Sequence, residues 1–206
     1  MFFFAQPSAE QVRRFLAAAN HQSLSYTEAG MTRGRAPAGY QADHNRIRLG
    51  GGASAFAEAC AALRRWAMFD LGWLELLPAD AAIEPGVIVC VRVRHFGIWS
   101  LNACRIVYVV DEDGPRKRYG FAYGTLDDHA ERGEERFTIE WNREDDAVWY
   151  DILAYSEPRH PLVRFAYPLA RAMQKRFARD SLEAMRRALP EGKRPADLRS
   201  EGKRQK

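Results

Sequence analysis

Apolar residues recur along this chain in two different periods, and the switches between them divide it into elements. Val12, Phe15, Leu16 and Ala19 share one helical face, and Ser8 followed three residues later by Gln11 is a capping-box signature, so a first helix is predicted there. From Asn20 to Gly39 the pattern gives way to glycine and polar residues, expected to form an irregular arm over the surface. Ile47 and Leu49 alternate with Arg46 and Arg48, predicting a short strand over 45–49. After Gly50-Gly51-Gly52, Ser54 is the expected cap of a helix reaching about Met68, with Phe56, Ala59, Cys60, Leu63 and Ala67 on its core face.

From Leu71 the period becomes two. Strands are predicted over 71–77, 87–95, 103–111, 116–124, 135–142 and 147–155, separated by Pro78, Pro85-Gly86, Asp113-Gly114-Pro115 and the polar run 143–146. These read as a meander of antiparallel strands. After Pro158 the helical period returns, with Leu162, Phe165, Leu169, Met173 and Phe177 in one stripe. Arg164, Arg171, Lys175 and Arg179 lie opposite, as a solvated face. The stretch from Pro190 is charged and poor in apolar residues and is expected to be disordered. The expected organisation is an N-terminal helix and arm (1–44), a domain (45–189) and a basic tail (190–206).

The order of elements predicts an α+β fold in which a curved antiparallel sheet wraps around the long C-terminal helix, and any part of the concave face that the helix does not fill becomes a pocket. Composition fits a soluble globular chain, 47% hydrophobic and 28% charged. Six Lys/Arg against three acids in 190–206 account for +3 of the formal +4, so the remaining body is near neutral and no nucleic-acid face is expected. Three cysteines without a CxxC pair indicate neither a disulfide framework nor a zinc site, but buried thiols of a reducing cytoplasm. The apolar start, Met1 to Ala5, is stopped by Gln6-Pro7 well short of a signal segment, and no stretch is long enough for a membrane span.

Particular residues carry a closer resemblance. Gly39-Tyr40, Leu49-Gly50, Phe56, Leu63 and Trp66 precede Gly72-Trp73. Then come the run Gly120 to Leu126, His129, the run Gly133 to Phe137, Tyr155-Ser156 and Gln174. From about Ser25 to about Leu189 these resemble uncharacterised protein family 0548, whose FGFAYGTL-type block reads YGFAYGTL here. That family is similar to the Bet v 1/START-like superfamily. The resemblance implies a helix-grip fold and a cavity that commonly holds hydrophobic ligands; it brings no activity.

Tyr and Trp join an apolar body to a polar tip and so suit a pocket wall. Tyr108, Tyr123, Tyr155, Trp73, Trp141 and Thr125 are the expected ligand-binding residues, with the phenols aimed inward. His129, Glu134 and Glu135 are candidates for acid–base chemistry, set against a plain structural turn with Gly133 at positive φ. Their spacing matches no metal motif, and neither metal nor cofactor is expected. The last strand is apolar on both faces, which predicts cover by the N-terminal arm or by a second subunit in a homodimer. The expected function is that of a cytoplasmic protein binding a small, largely hydrophobic molecule between sheet and helix. The rivals are a polyketide-cyclase/dehydratase-like enzyme using the same cavity, and an interaction module with a filled core.

Overall fold

The computed structural model describes residues 1–95, 97–127, 129, 131–158 and 167–190. The strands are β1 (Phe2–Phe3), β2 (Gln41–Gly51), β3 (Leu74–Leu77), β4 (Ile88–His95), β5 (Ile98–Glu112), β6 (Arg116–Thr125), β7 (Glu131–Asn142) and β8 (Ala147–Pro158). They form one antiparallel sheet in the order β2-β8-β7-β6-β5-β4-β3, with β1 added beside the start of β5. Strands β3 to β8 are a meander, and β2 returns to pair with β8. The helices are α1 (Ala9–Ala19), α2 (Gly52–Arg64) and α3 (Tyr167–Arg187). This is the helix-grip arrangement: the curled sheet presents its inner face to α2 and α3, and α1 and the arm lie on the outer face.

The main core is built on the alternation of the central strands. Phe121, Phe137, Ile139, Tyr150 and Ile152 are fully buried on the inner face with Leu63 and Met68, and Met185 of α3 closes over them. Phe69 joins the layers, its ring centroid 5.7 Å from Phe137 and 5.4 Å from Phe177 of α3. On the outer face Val12, Phe15 and Ala19 of α1 pack on Cys90, Leu101 and Ala103. Ser8 caps α1 through the expected box, Oγ accepting from the Gln11 N–H at 3.2 Å.

Several boundaries differ from the sequence reading. Helix α2 starts at Gly52, whose N–H donates to Asp146 O at 2.9 Å, so Gly51 rather than Ser54 precedes its first turn. It ends at Arg64 because Trp66 turns left-handed, at φ 57°, to bury its ring against Phe121 and donate its indole N–H to Ala81 O at 2.9 Å. A 3₁₀ turn then takes residues 67–69, which delays β3 to Leu74. Strands β2 and β7 begin earlier than expected, at Gln41 and Glu131, because polar residues on both faces hide their first residues from the alternation. Strand β5 also begins earlier, at Ile98, where Trp99 and Leu101 alternate with Ser100 and Asn102. Strand β8 lies inside the sheet, covered outside by the arm at Tyr155 and by Arg46 over Trp149.

In α3 the buried residues are Ala178, Ser181, Ala184 and Met185, with Leu189 just beyond, while Met173 and Phe177 are half-buried and Leu169 is 52% exposed. Leu162, Phe165 and Arg164 of the expected helix, and the tail beyond Pro190, lie outside the described residues. Arg171, placed on a solvated face by its pattern, instead pairs with Asp43 of β2. Phe137→Ala should cost about 3–5 kcal/mol, because its ring is wholly enclosed by other aromatic rings that cannot close the gap; urea unfolding reads this directly.

Candidate functional site

Beneath the half of α3 that is least buried, the inner face of the sheet is not filled. A cavity of about 1500 Å³ opens there. Phe69, Trp73, Val91, Val93, Met173, Phe177 and Leu182 give it apolar walls, and the strand ends around the β6–β7 connection give it a polar one. The alternation of β7 sets the polar wall: Glu131, Gly133, Glu135 and Phe137 point inward, and Arg132, Glu134, Arg136 and Thr138 outward.

Glu135 is half-buried on the cavity wall, and the Tyr123 phenol donates to its Oε2 at 2.9 Å. Burial, aided by the charges of Glu131 and Asp43, pushes its carboxyl up to about 7 against the Tyr123 hydrogen bond. The Tyr123 phenol is itself raised well above its ordinary value, by burial first and by Glu135 second. Glu131, also raised by burial, accepts from Gln174 Nε2 at 2.6 Å, and the same amide reaches Ser156 Oγ at 3.3 Å. Arg171 holds Asp43 through both guanidinium nitrogens and turns toward Gln174 Oε1 at 2.6 Å. His129 lines the cavity with Nδ1 3.1 Å from the Glu131 N–H, and burial pushes its imidazole down to about 4, so the ring is neutral near pH 7. These groups can hold a ligand's polar end or exchange a proton with it. Among the described residues no three His, Cys, Asp or Glu side chains assemble as a metal site.

The structure brings only part of the expected set to this cavity. Tyr123 and Trp73 line it, Trp73 at the helix edge, where its indole donates to Asp180 at 3.1 Å. His129 and Glu135 share it. Thr125 borders it, but its hydroxyl is committed to Gly133 N–H at 2.9 Å and to Ser25 Oγ at 2.6 Å. Tyr108 was expected inward and faces outward, because β5 bulges between Ile106 and Tyr108 and the extra residue reverses every side chain after it. Its hydroxyl meets Thr32 Oγ1 at 2.8 Å under the arm. Tyr155 borders the cavity too, but its ring packs under the arm on the outer face, donating to Gly34 O at 2.9 Å. Trp141 faces inward at the far end of β7, packed on Phe56 and donating to Asp146 at 2.9 Å.

Glu134 has a different role from its neighbour. It is 2% exposed and receives Tyr26 OH at 2.7 Å, Gly30 N–H at 2.7 Å, Thr32 N–H at 2.9 Å and the Thr32 hydroxyl. One carboxylate thus ties the arm to the sheet. Gly124 is what lets Tyr26 arrive: a β-carbon there would lie 2.1 Å from the phenol oxygen. Gly133 lies within β7 rather than in a turn, and a β-carbon on it would meet Tyr155 O at 2.1 Å. Asp43 of the polar wall and its partner Arg171 had no sequence signal as site residues, because Asp43 sat in the expected arm and Arg171 on an expected solvated face. Glu131 lay in the polar segment with His129 but is expected from the sequence to be structural.

Residues 25–184 match the family described as a domain of unknown function, DUF1990. The chain belongs to this family. Among DUF1990-type relatives, the UPF0548 protein of Deinococcus radiodurans is 40% identical over 201 residues, covering 91% of this chain and 98% of that one. The UPF0548 protein of Dictyostelium discoideum is 35% identical over 208 residues, covering 92% and 96%. Similar solved structures include a hypothetical protein from Helicobacter pylori (TM-score 0.49, 10% identity, 79% of this chain and 94% of that one). They also include Ara h 8.0201 (TM-score 0.45, 10% identity, 71% and 98%) and human STARD10 (TM-score 0.36, 11% identity, 86% and 80%). The blocks that carry the UPF0548 resemblance, Gly120 to Leu126 and Gly133 to Phe137, are the adjoining strand segments that form the wall around Tyr123 and Glu135.

Two measurements separate the two adjacent glutamates. Because the folded carboxyl of Glu135 titrates near 7 rather than 4.5, its ionisation opposes folding: the penalty is absent below about pH 4.5 and is complete above about pH 7. Glu135→Gln should therefore raise stability on the order of 1–3 kcal/mol at about pH 8, and the gain should vanish in melts at about pH 4. Glu134→Ala should instead destabilise by at least about 2 kcal/mol, since it strands the Tyr26 hydroxyl and the Gly30 and Thr32 N–H groups. Hydrogen exchange at Gly30 and Thr32 should accelerate more than in the inner strands; uniform acceleration would show that the arm is not a separate unit.

Proposed function

We propose that this protein binds a small, largely hydrophobic molecule in the cavity between the sheet and α3. The carrying observation is the cavity of about 1500 Å³ with predominantly apolar walls, beside a limited polar wall. Small-molecule sites commonly occupy roughly 300–1,000 Å³ and combine apolar lining with a few placed polar groups. This one is large enough for an extended or polycyclic molecule. A space of that size beneath an amphipathic helix also speaks for a binder over a module with a filled core. In this reading residues 45–189 form most of the binding domain, the start of β2 at Ala42 to His44 completes its wall, and the helix and arm before it brace the outer face.

We place the protein in the cytoplasm. Cys60, Cys90 and Cys104 are free and buried, and burial raises all three thiols, Cys60 and Cys90 to about 12, so they suit a reducing compartment and not nucleophilic chemistry. No helix among the described residues is long and apolar enough to cross a membrane.

Ala154 provides the test. It lies on the inner face between Asp43 and Glu135 and lines the cavity, so Ala154→Trp directs a large ring into the space. The purified protein should bind an apolar fluorophore, and Ala154→Trp should weaken that binding about tenfold or more while keeping its far-UV spectrum and cooperative melt. Equal binding by a folded Ala154→Trp protein would place the fluorophore elsewhere and remove the support for this cavity.

A further inference from the structure

The charges on the cavity wall are unequal, and that inequality bears on what enters. Asp43, Glu131 and Glu135 all belong to the inner face. Of the nearby cations, Arg171 is taken up by Asp43 through two nitrogens, Arg132 pairs with Glu157, and the Met1 ammonium, also on the lining, donates to Leu101 O at 3.2 Å. Lys175 and Arg179 are exposed at the mouth, and Arg179 pairs with Asp180. Glu131 has an amide donor in Gln174, whereas Glu135 has one phenol on Oε2 and no cationic partner among the described residues. Its second oxygen, Oε1, has no donor among them either and sits on the wall of an open cavity. A carboxylate left in such surroundings is costly unless something with donors reaches it.

We propose that the cavity selects an amphipathic molecule carrying a basic nitrogen, with the ammonium seated on Glu135 and the apolar body along Phe69, Met173 and Phe177. This rests on the reading of the cavity as a binding site and adds the ligand's chemical class. An ammonium supplies both the missing positive charge and several N–H donors, whereas a hydroxyl supplies one donor and no charge. A carboxylate ligand meets Glu131 and Glu135 with like charge. The Tyr123 ring, which lines the cavity beside Glu135, strengthens the preference, because an aromatic ring attracts a cation that has left water.

The test compares three probes of one chain length, decylamine, decanol and decanoate, each below its micelle concentration. Isothermal titration with the full chain at neutral pH should find decylamine about ten- to a hundredfold tighter than decanol, and decanoate weakest. Glu135→Gln should remove the difference between amine and alcohol. Decanol or decanoate binding as tightly as decylamine would overturn the proposal while leaving the cavity reading intact. So would an amine preference that survives in folded Glu135→Gln. Absence of binding by all three would count against the cavity reading itself and the proposal with it. The comparison on the unaltered protein decides the matter even where the variant fails to fold.

Discussion

Helix α3 is held firmly at one end and propped at the other, and the cavity follows from that difference. Toward its C-terminal end Ser181 and Met185 are completely buried, and Leu189 just past the helix is 2% exposed. Ser181 Oγ meets the buried Tyr150 hydroxyl at 3.0 Å, and Phe177 stacks against Phe69. Toward the N-terminal end this packing gives out. Polar side chains bridge the gap there, Arg171 to Asp43 and Gln174 to Glu131 and Ser156. Long side chains that reach across by hydrogen bonds hold a helix farther from a sheet than interlocked apolar ones do. A helix seated apolar along its whole length would bring its axis to the roughly 10 Å of ordinary layer packing and leave no space beneath it.

The alternation of β7 assigns adjacent residues to unrelated tasks. Glu134 points into the arm and is surrounded by four donors; Glu135 points into the cavity and has one. A carboxylate with enough N–H and O–H donors is stable in a protein interior without a counterion. One with a single phenol is not, and its affinity for a proton rises. The contrast depends on which face of the sheet has backbone amides to offer. The irregular arm on the outer face turns its N–H groups toward the sheet. The helix on the inner face has used nearly all of its own.

The fold was legible because its signals are periodic: the switch from helical to alternating patterning at Leu71 and back after Pro158 marks the meander and the helix that it grips. The Ser8 box was legible for the same local reason. The site was legible only where alternation runs uninterrupted, as along β6 to Tyr123. A single bulge before Tyr108 carried that residue to the opposite face, and no residue type near Ile106 or Val107 announces a bulge. Tyr155 and Trp141 were chosen for their chemistry, but chemistry does not say whether a ring serves a cavity, an arm or the far end of the core. Asp43 and Arg171 are 128 residues apart, and a pair of that kind has no local signature.

Stability and the proposed binding are drawn from different parts of the sheet. The enclosed aromatic cluster of Phe121, Phe137 and Phe69 lies over the middle of the central strands, where burial is complete or nearly so. The polar wall is assembled from strand ends: the start of β2 at Asp43, the start of β7 at Glu131, and the end of β8 at Ser156. Those ends meet at one rim of the sheet, because β2 and β7 both run antiparallel to β8 between them. Parting that rim breaks hydrogen bonds between partly exposed groups, each worth about 1 kcal/mol net. Opening the aromatic cluster would expose rings that each contribute several times as much. On the proposed binding reading, a molecule would enter beside the propped end of α3 at small cost, while the seated end keeps the sheet curled around the helix.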